Sequence, residues 1–261
     1  MRAIYALPLT ACVLFGGGCS DEATAPDLQT LTVANFLPTH NNIRNRLRNI
    51  VEEHNGGLGF EMWATILDRD GKVVAVVFSG TRRGDQWPGS RVISAQKANT
   101  ANAFSLEGLA LSTANLFAPV QPGGSLFGLQ ESNPVDPTVA YGGSEADFGT
   151  ARDFMIGKRI GGVNVFGGGL ALYSPTGKLL GGVGVSGDTS CTDHIIAWKL
   201  RQYLNLDNIP GGVADGTDNI IFTEGTLDGF EHPTCFDSPG RGNHIEIANN
   251  LPTSHPIGPH E

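Results

Sequence analysis

The sequence predicts an α+β domain, with an antiparallel β-sheet and helices packed against it. Three observations predict it. Two pairs of β-rich runs each close on a tight turn. Stretches of helical periodicity alternate with those pairs. The chain of 261 residues holds 36 glycines, which favour turns and close backbone approaches over long helices. Hydrophobic residues make up 40% and charged residues 16%, enough apolar surface for a sizeable core. The net charge is −9 and no Lys/Arg cluster is dense enough to track phosphates, which argues against a nucleic-acid partner.

At the amino end, Arg2 precedes an apolar stretch from Ala3 to Phe15, then Gly16-Gly17-Gly18-Cys19. This order predicts an exported lipoprotein: residues 1–18 a signal peptide, Cys19 the lipid-bearing residue, residues 19–38 a polar tether. The lipid would be the sole membrane attachment, in the cell envelope. A competing cut after Ala23-Thr24-Ala25 is disfavoured by Pro26.

Residues 39–54 place Ile43, Leu47, Ile50 and Val51 at helical spacing, up to Gly56-Gly57. Met62–Asp68 and Lys72–Phe78 read as a hairpin around Arg69-Asp70-Gly71. Arg91–Phe104 reads as a helix with Ile93, Lys97, Ala101 and Phe104 on one face, extending through 107–117. Residues 118–160 show no period and read as a long loop. Gly169–Ser174 and Lys178–Val185 form a second hairpin around Pro175-Thr176-Gly177. A helix follows over Cys191–Leu204, with Ser190 and Asp193 as a capping box. The domain thus covers 39–205, and residues 206–261 form a loop-rich extension with short extended pieces such as Asn219–Thr223.

Several segments carry a family resemblance. These are Leu67–Lys72, the helix Ala95-Gln96-Lys97-Ala98-Asn99-Thr100-Ala101, the block Gly168-Gly169 with Gly177 and Gly181-Gly182-Val183-Gly184-Val185-Ser186-Gly187, and Asp193 with Ala197. Together they resemble the GlcG/HbpS-like haem-binding family, related to the carboxy-terminal part of PduO-type proteins. The resemblance spans roughly residues 40–205. It implies a compact, profilin-like α+β layout, assembly into homo-oligomers, and an association with haem or a related tetrapyrrole.

The candidate chemistry is sparse. Gly182–Gly187 matches G-x-G-x-x-G, but these glycines lie inside a strand rather than opening a helix, so they fit close helix approach better than nucleotide binding. Ser186, Asp193 and His194 do not make a hydrolase, because the last two are consecutive on a helix and diverge by about 100°. Lys97 reads as a packed stem reaching a sheet-edge carbonyl or carboxylate. Cys191 and Cys235 pair as a disulfide in an oxidising compartment, or hold zinc with His194 and His232 through the spacings C-x-x-H and H-x-x-C. His194, Trp198 and Arg201 share a helix face and suit a haem edge: imidazole for iron, aromatic for the macrocycle, guanidinium for a propionate. The start of a helix also favours the neutral imidazole. His54 is a second iron-ligand candidate, and His244, His255 and His260 are expected in solvent. The function these residues support is small-ligand, most concretely haem, binding. A tetrapyrrole-modifying enzyme and a ligand-free structural oligomer are the alternatives.

Overall fold

The computed structural model describes residues 32–223, 225 and 229–260. The signal peptide, Cys19 and most of the tether lie outside the described residues. No described helix is long and apolar enough to cross a membrane.

The first helix, α1 (His40–Glu52), buries Ile43, Leu47, Ile50 and Val51, as its spacing predicts, and the Thr39 hydroxyl caps it by accepting from the Asn42 amide. Strands β1 (Trp63–Asp68) and β2 (Val73–Phe78) form the first hairpin, and Gly71 takes the left-handed conformation its turn requires (φ +78°). Helix α2 (Ser90–Phe104) follows. Strands β3 (Gly169–Tyr173) and β4 (Leu179–Ser186) make the second hairpin, and α5 (Ser190–Tyr203) comes next. The sheet order is β2-β1-β4-β3, antiparallel throughout.

Strand alternation divides the two faces. Ala64, Ile66, Val183 and Val185 join the core formed with α1 and α5. Trp63 and Thr65 point to the α2 side, opposite Ser186 and Gly184 in register. A Cβ on Gly184 would collide with the Ser94 carbonyl, and one on Gly182 with the Ala98 carbonyl. The glycine block therefore brings α2 down onto the sheet backbone. The face of α2 that meets the sheet includes Ser94, Ala98 and Ala101 rather than Ile93 and Phe104, which are only half-buried. Small residues win this face because the glycines leave no room for large ones.

Three further expectations are corrected. Residues 107–117 do not extend α2: Ser105 turns extended, and only short 3₁₀ turns follow at Ala114–Leu116 and Ala118–Val120. The start of α5 has no Ser190/Asp193 capping box. Thr189 is the cap and accepts from the Thr192 amide, while the Asp193 carboxylate is taken by Lys97 and by the amides of Gly187 and Asp188. The extension is more structured than its composition suggests. It carries the parallel pair β5 (Ile221–Thr223) and β6 (Glu231–Pro233) and helix α6 (His244–Ser254), which packs on α5.

Residues 118–160 are irregular apart from 3₁₀ turns at Ala118–Val120 and Glu145–Asp147 and two single-turn helices, α3 (Leu129–Ser132) and α4 (Pro137–Ala140). They are nonetheless pinned. The buried Arg91 guanidinium donates to both carboxylate oxygens of Asp153, at 2.9 and 2.5 Å, and to the Ala140 carbonyl at 2.7 Å.

Candidate functional site

Between α2 and the start of α5 lies a buried ion pair. Lys97 Nζ donates to Asp193 Oδ2 at 2.6 Å and to the Val185 carbonyl at 3.2 Å, the carboxylate-and-carbonyl role its stem position suggests. Burial pushes the Asp193 carboxyl up to about 6 against the opposing pull of Lys97, and burial lowers the Lys97 ammonium.

The structure brings His194, Trp198 and Arg201 together along α5, but it closes the face they form. Their rings stack loosely, His194 to Trp198 at 6.4 Å and the Arg201 guanidinium 5.0 Å over Trp198. All three are buried, and the extension supplies their partners. Arg201 pairs with both oxygens of Asp218 at 2.6 and 2.8 Å. Trp198 Nε1 donates to the His255 carbonyl, and His194 Nε2 donates to Asn219 Oδ1 at 3.2 Å. As folded, Arg201 is fully buried and exposes no edge to a propionate, and Trp198 has no open face for a macrocycle. His54 is exposed just beyond α1.

His194 and His232 do not meet the cysteines as zinc ligands. Cys191 and Cys235 form a disulfide, and the imidazole closest to it belongs to His244. His244 is buried rather than solvated, and His260 is half-buried against Asp207. His232 Nδ1 donates to the Pro233 carbonyl. That leaves His194 Nδ1 and His232 Nε2 buried without a partner. Burial, first among the causes, lowers His194 to about 3 and His232 to about 4, so both rings are neutral near pH 7.

An open concavity lies elsewhere, at the start of α2. Its volume of about 640 Å³ is within the range of small-ligand sites. Trp63 and Val92 line its interior, with Phe148 stacked under Arg91 at 3.7 Å and Tyr141 exposed among the lining residues. Arg82 and Arg83 are exposed parts of the lining. Arg82 pairs with Asp85, whereas Arg83 makes no ion pair among the described residues. The cap residue of α2 is Gly89, which offers no side chain, and the backbone carbonyls of Trp87 and Gly89 take the Ser90 and Val92 amides, so the positive end of a 15-residue helix lies beside the site without a side-chain cap. Apolar walls with cationic groups and a helix start suit a flat ligand with an acidic edge. The sequence reading did not reach this site, because its residues come from positions 63, 82–92 and 141–148 and share no spacing. The available signal was Thr81-Arg82-Arg83-Gly84 with Trp87 directly before a helix.

A family model described as "Haem degrading protein HbpS-like" matches residues 40–201. The chain belongs to the HbpS-like family. Among solved structures, this HbpS-like chain is similar to protein ORFY of Klebsiella pneumoniae, at 23% identity over 71% of this chain and 97% of that one, with a TM-score of 0.44. It is similar to a double mutant of HbpS from Streptomyces reticuli, at 17% identity over 76% and 99%, TM-score 0.43. It is also similar to PduOC in a complex with haem, at 25% identity over 63% and 92%, TM-score 0.41. No curated protein matches the chain.

Proposed function

We propose that this HbpS-like protein binds haem or a related tetrapyrrole in the cavity at the start of α2. The observation that carries the reading is the cavity itself: about 640 Å³, walled by Trp63, Phe148 and Val92, with Arg82 and Arg83 in its lining. These residues fit the group. The aromatics offer apolar surface to a macrocycle, the arginines and the helix start attract propionates, and the Tyr141 phenol is an oxygen donor of the kind that binds haem iron. No histidine lines the cavity among the described residues. When bound, haem would supply iron for ligand binding or redox chemistry. The chain's own residues orient the macrocycle and neutralise its acidic edge.

The test is an absorption titration with haemin. Tyr141→Phe is expected to shift the Soret band, and Arg83→Ala to weaken binding without changing the spectrum. His194→Ala is expected to change neither. The opposite pattern, with His194→Ala abolishing the spectrum and Tyr141→Phe silent, would move the ligand to α5 and require the extension to lift. Loss of the bound spectrum with a reductant present would mark the degrading activity in the family description. Sedimentation of the same sample reads the homo-oligomer that the resemblance implies.

We also propose that the protein is exported and anchored through Cys19. The Cys191–Cys235 disulfide supports passage through an oxidising compartment. Cys19→Ala is expected to move the protein out of the detergent phase, and an unchanged partition would refute the anchor.

A further inference from the structure

The cystine that ties the extension to α5 has an imidazole set beside it. The two sulfurs of Cys191 and Cys235 and a ring nitrogen of His244 lie within 4.8 Å of one another. His244 is oriented for this. Its Nδ1 donates to Asp237 Oδ2 at 2.7 Å, so the proton sits on Nδ1 and Nε2 is the acceptor nitrogen. That Nε2 accepts from the Cys235 amide at 3.1 Å. A carboxylate holding one ring nitrogen while the other presents its lone pair is the arrangement that orients metal-binding histidines, and an ion at Nε2 would take the place of the Cys235 amide. Cys235 Sγ also accepts from the Cys191 amide at 3.3 Å, in the first turn of α5, and lies 3.6 Å from the Ser190 hydroxyl. Donors at a helix start stabilise a thiolate there. The two Cα atoms are 6.1 Å apart, so both sulfurs reach one ion by side-chain rotation.

The geometry points to a latent zinc-class site, formed by Cys191, Cys235 and His244 with Asp237 behind it, that opens when the disulfide is reduced. The half-buried Cys235 is the sulfur within reach of an external thiol, since Cys191 is fully buried. A dithiol reductant attacks Cys235 Sγ, the S–S bond breaks, and Cys191 leaves as thiolate. The second thiol of the reductant then displaces Cys235 and departs as a disulfide, having given two electrons. A divalent cation takes the two thiolates and the neutral imidazole, and the protons the thiols carried go to solvent. Tetrahedral bonds of about 2.3 Å to sulfur place the two sulfurs about 3.8 Å apart, a separation they can take once the S–S bond is broken. Three protein ligands leave the fourth position to water. The oxidised protein thus carries a covalent clamp where the reduced protein carries a metal clamp, both joining the extension to α5.

The test uses cobalt(II) and zinc(II) on the full chain, before and after reduction with a phosphine and without haem. The reduced protein is expected to bind one equivalent of cobalt with thiolate charge-transfer bands and tetrahedral d–d bands. The oxidised protein is expected to show neither. Asp237→Asn should weaken binding about 10–100-fold. His244→Ala should lose the tetrahedral spectrum. If reduction unfolds the chain, zinc must restore its near-ultraviolet circular dichroism in the parent and not in His244→Ala. A reduced chain that ignores zinc, or a His244→Ala variant that binds as the parent does, overturns the proposal.

Discussion

His194 and His232 each keep one ring nitrogen buried without a partner, and burial holds both far below the ordinary value of 6.5, at about 3 and about 4. The unfolded chain takes up a proton at each near pH 6.5, whereas the folded chain does so only near pH 3–4. As pH falls through that window the unfolded state binds more protons, so these two groups lower stability on acidification. Asp193 acts with the opposite sign. Its folded value, pushed up to about 6 by burial, lies above the ordinary value of 3.8, so its contribution is present at low pH and lost as pH rises through 6. His255 is also lowered by burial, so the histidine protons outnumber the single Asp193 proton and stability is expected to fall as pH drops from about 6 to about 4. Thermal unfolding at stepped pH is expected to show this decline, and His194→Gln is expected to flatten it. An unchanged slope in His194→Gln would remove His194 from the account. The glycine block makes a second residue-scale prediction. Gly184→Ala should cost about 2–3 kcal/mol in denaturant unfolding, because its Cβ meets the Ser94 carbonyl and the Ala98 amide. Gly108→Ala, with nothing within 4 Å of its Cβ, should stay within about 0.5 kcal/mol of the parent.

Between elements, the covalent link matters most where local pattern is weakest. The disulfide joins the first turn of α5 to residue 235 across a separation of 44 residues. On a loop-entropy account that closure stabilises the fold by about 3–4 kcal/mol. Cys235→Ser is expected to lower the free energy of unfolding by that order in metal-free buffer, and a loss under about 1 kcal/mol would mean that packing alone holds the extension. The same contrast explains what the sequence could convey. Helix α1 was legible because Ile43, Leu47, Ile50 and Val51 repeat at helical spacing over polar neighbours. Both hairpins were legible because Asp70-Gly71 and Thr176-Gly177 break runs of β-formers. The start of α5 misled because Ser190 and Asp193 have the right spacing for a capping box, while Lys97, almost a hundred residues earlier, claims the carboxylate. Helix α6 was not legible. Its eleven residues include Asn249, Asn250 and Pro252, which imitate a loop, and its register is fixed by packing Ala248 and Leu251 on the main core. The stripe of His194, Trp198 and Arg201 was correctly placed on one face, but periodicity cannot say what covers a face.

For the whole molecule, what covers that face lies beyond the family match, which ends at residue 201. Asp218, Asn219, Cys235 and the His255 carbonyl all come from the extension, and each satisfies a group on α5. The extension is therefore part of the folded unit rather than an appendage. A chain ending at Asn205 would leave the Arg201 guanidinium facing an apolar core without its carboxylate, and is expected not to fold cooperatively. The point mutants isolate the cause. Both members of the Arg201–Asp218 pair are fully buried. Removing one partner strands a charge, so Asp218→Leu alone and Arg201→Met alone should each cost about 3–5 kcal/mol. Replacing both with apolar residues removes the stranded charge, so the double variant should recover most of that loss. Denaturant unfolding of the four proteins gives the coupling directly. Recovery in the double variant assigns the cost to an unpaired buried charge and establishes that the extension completes the core. Additive losses would instead mean that Arg201 and Asp218 act separately, each through its own packing.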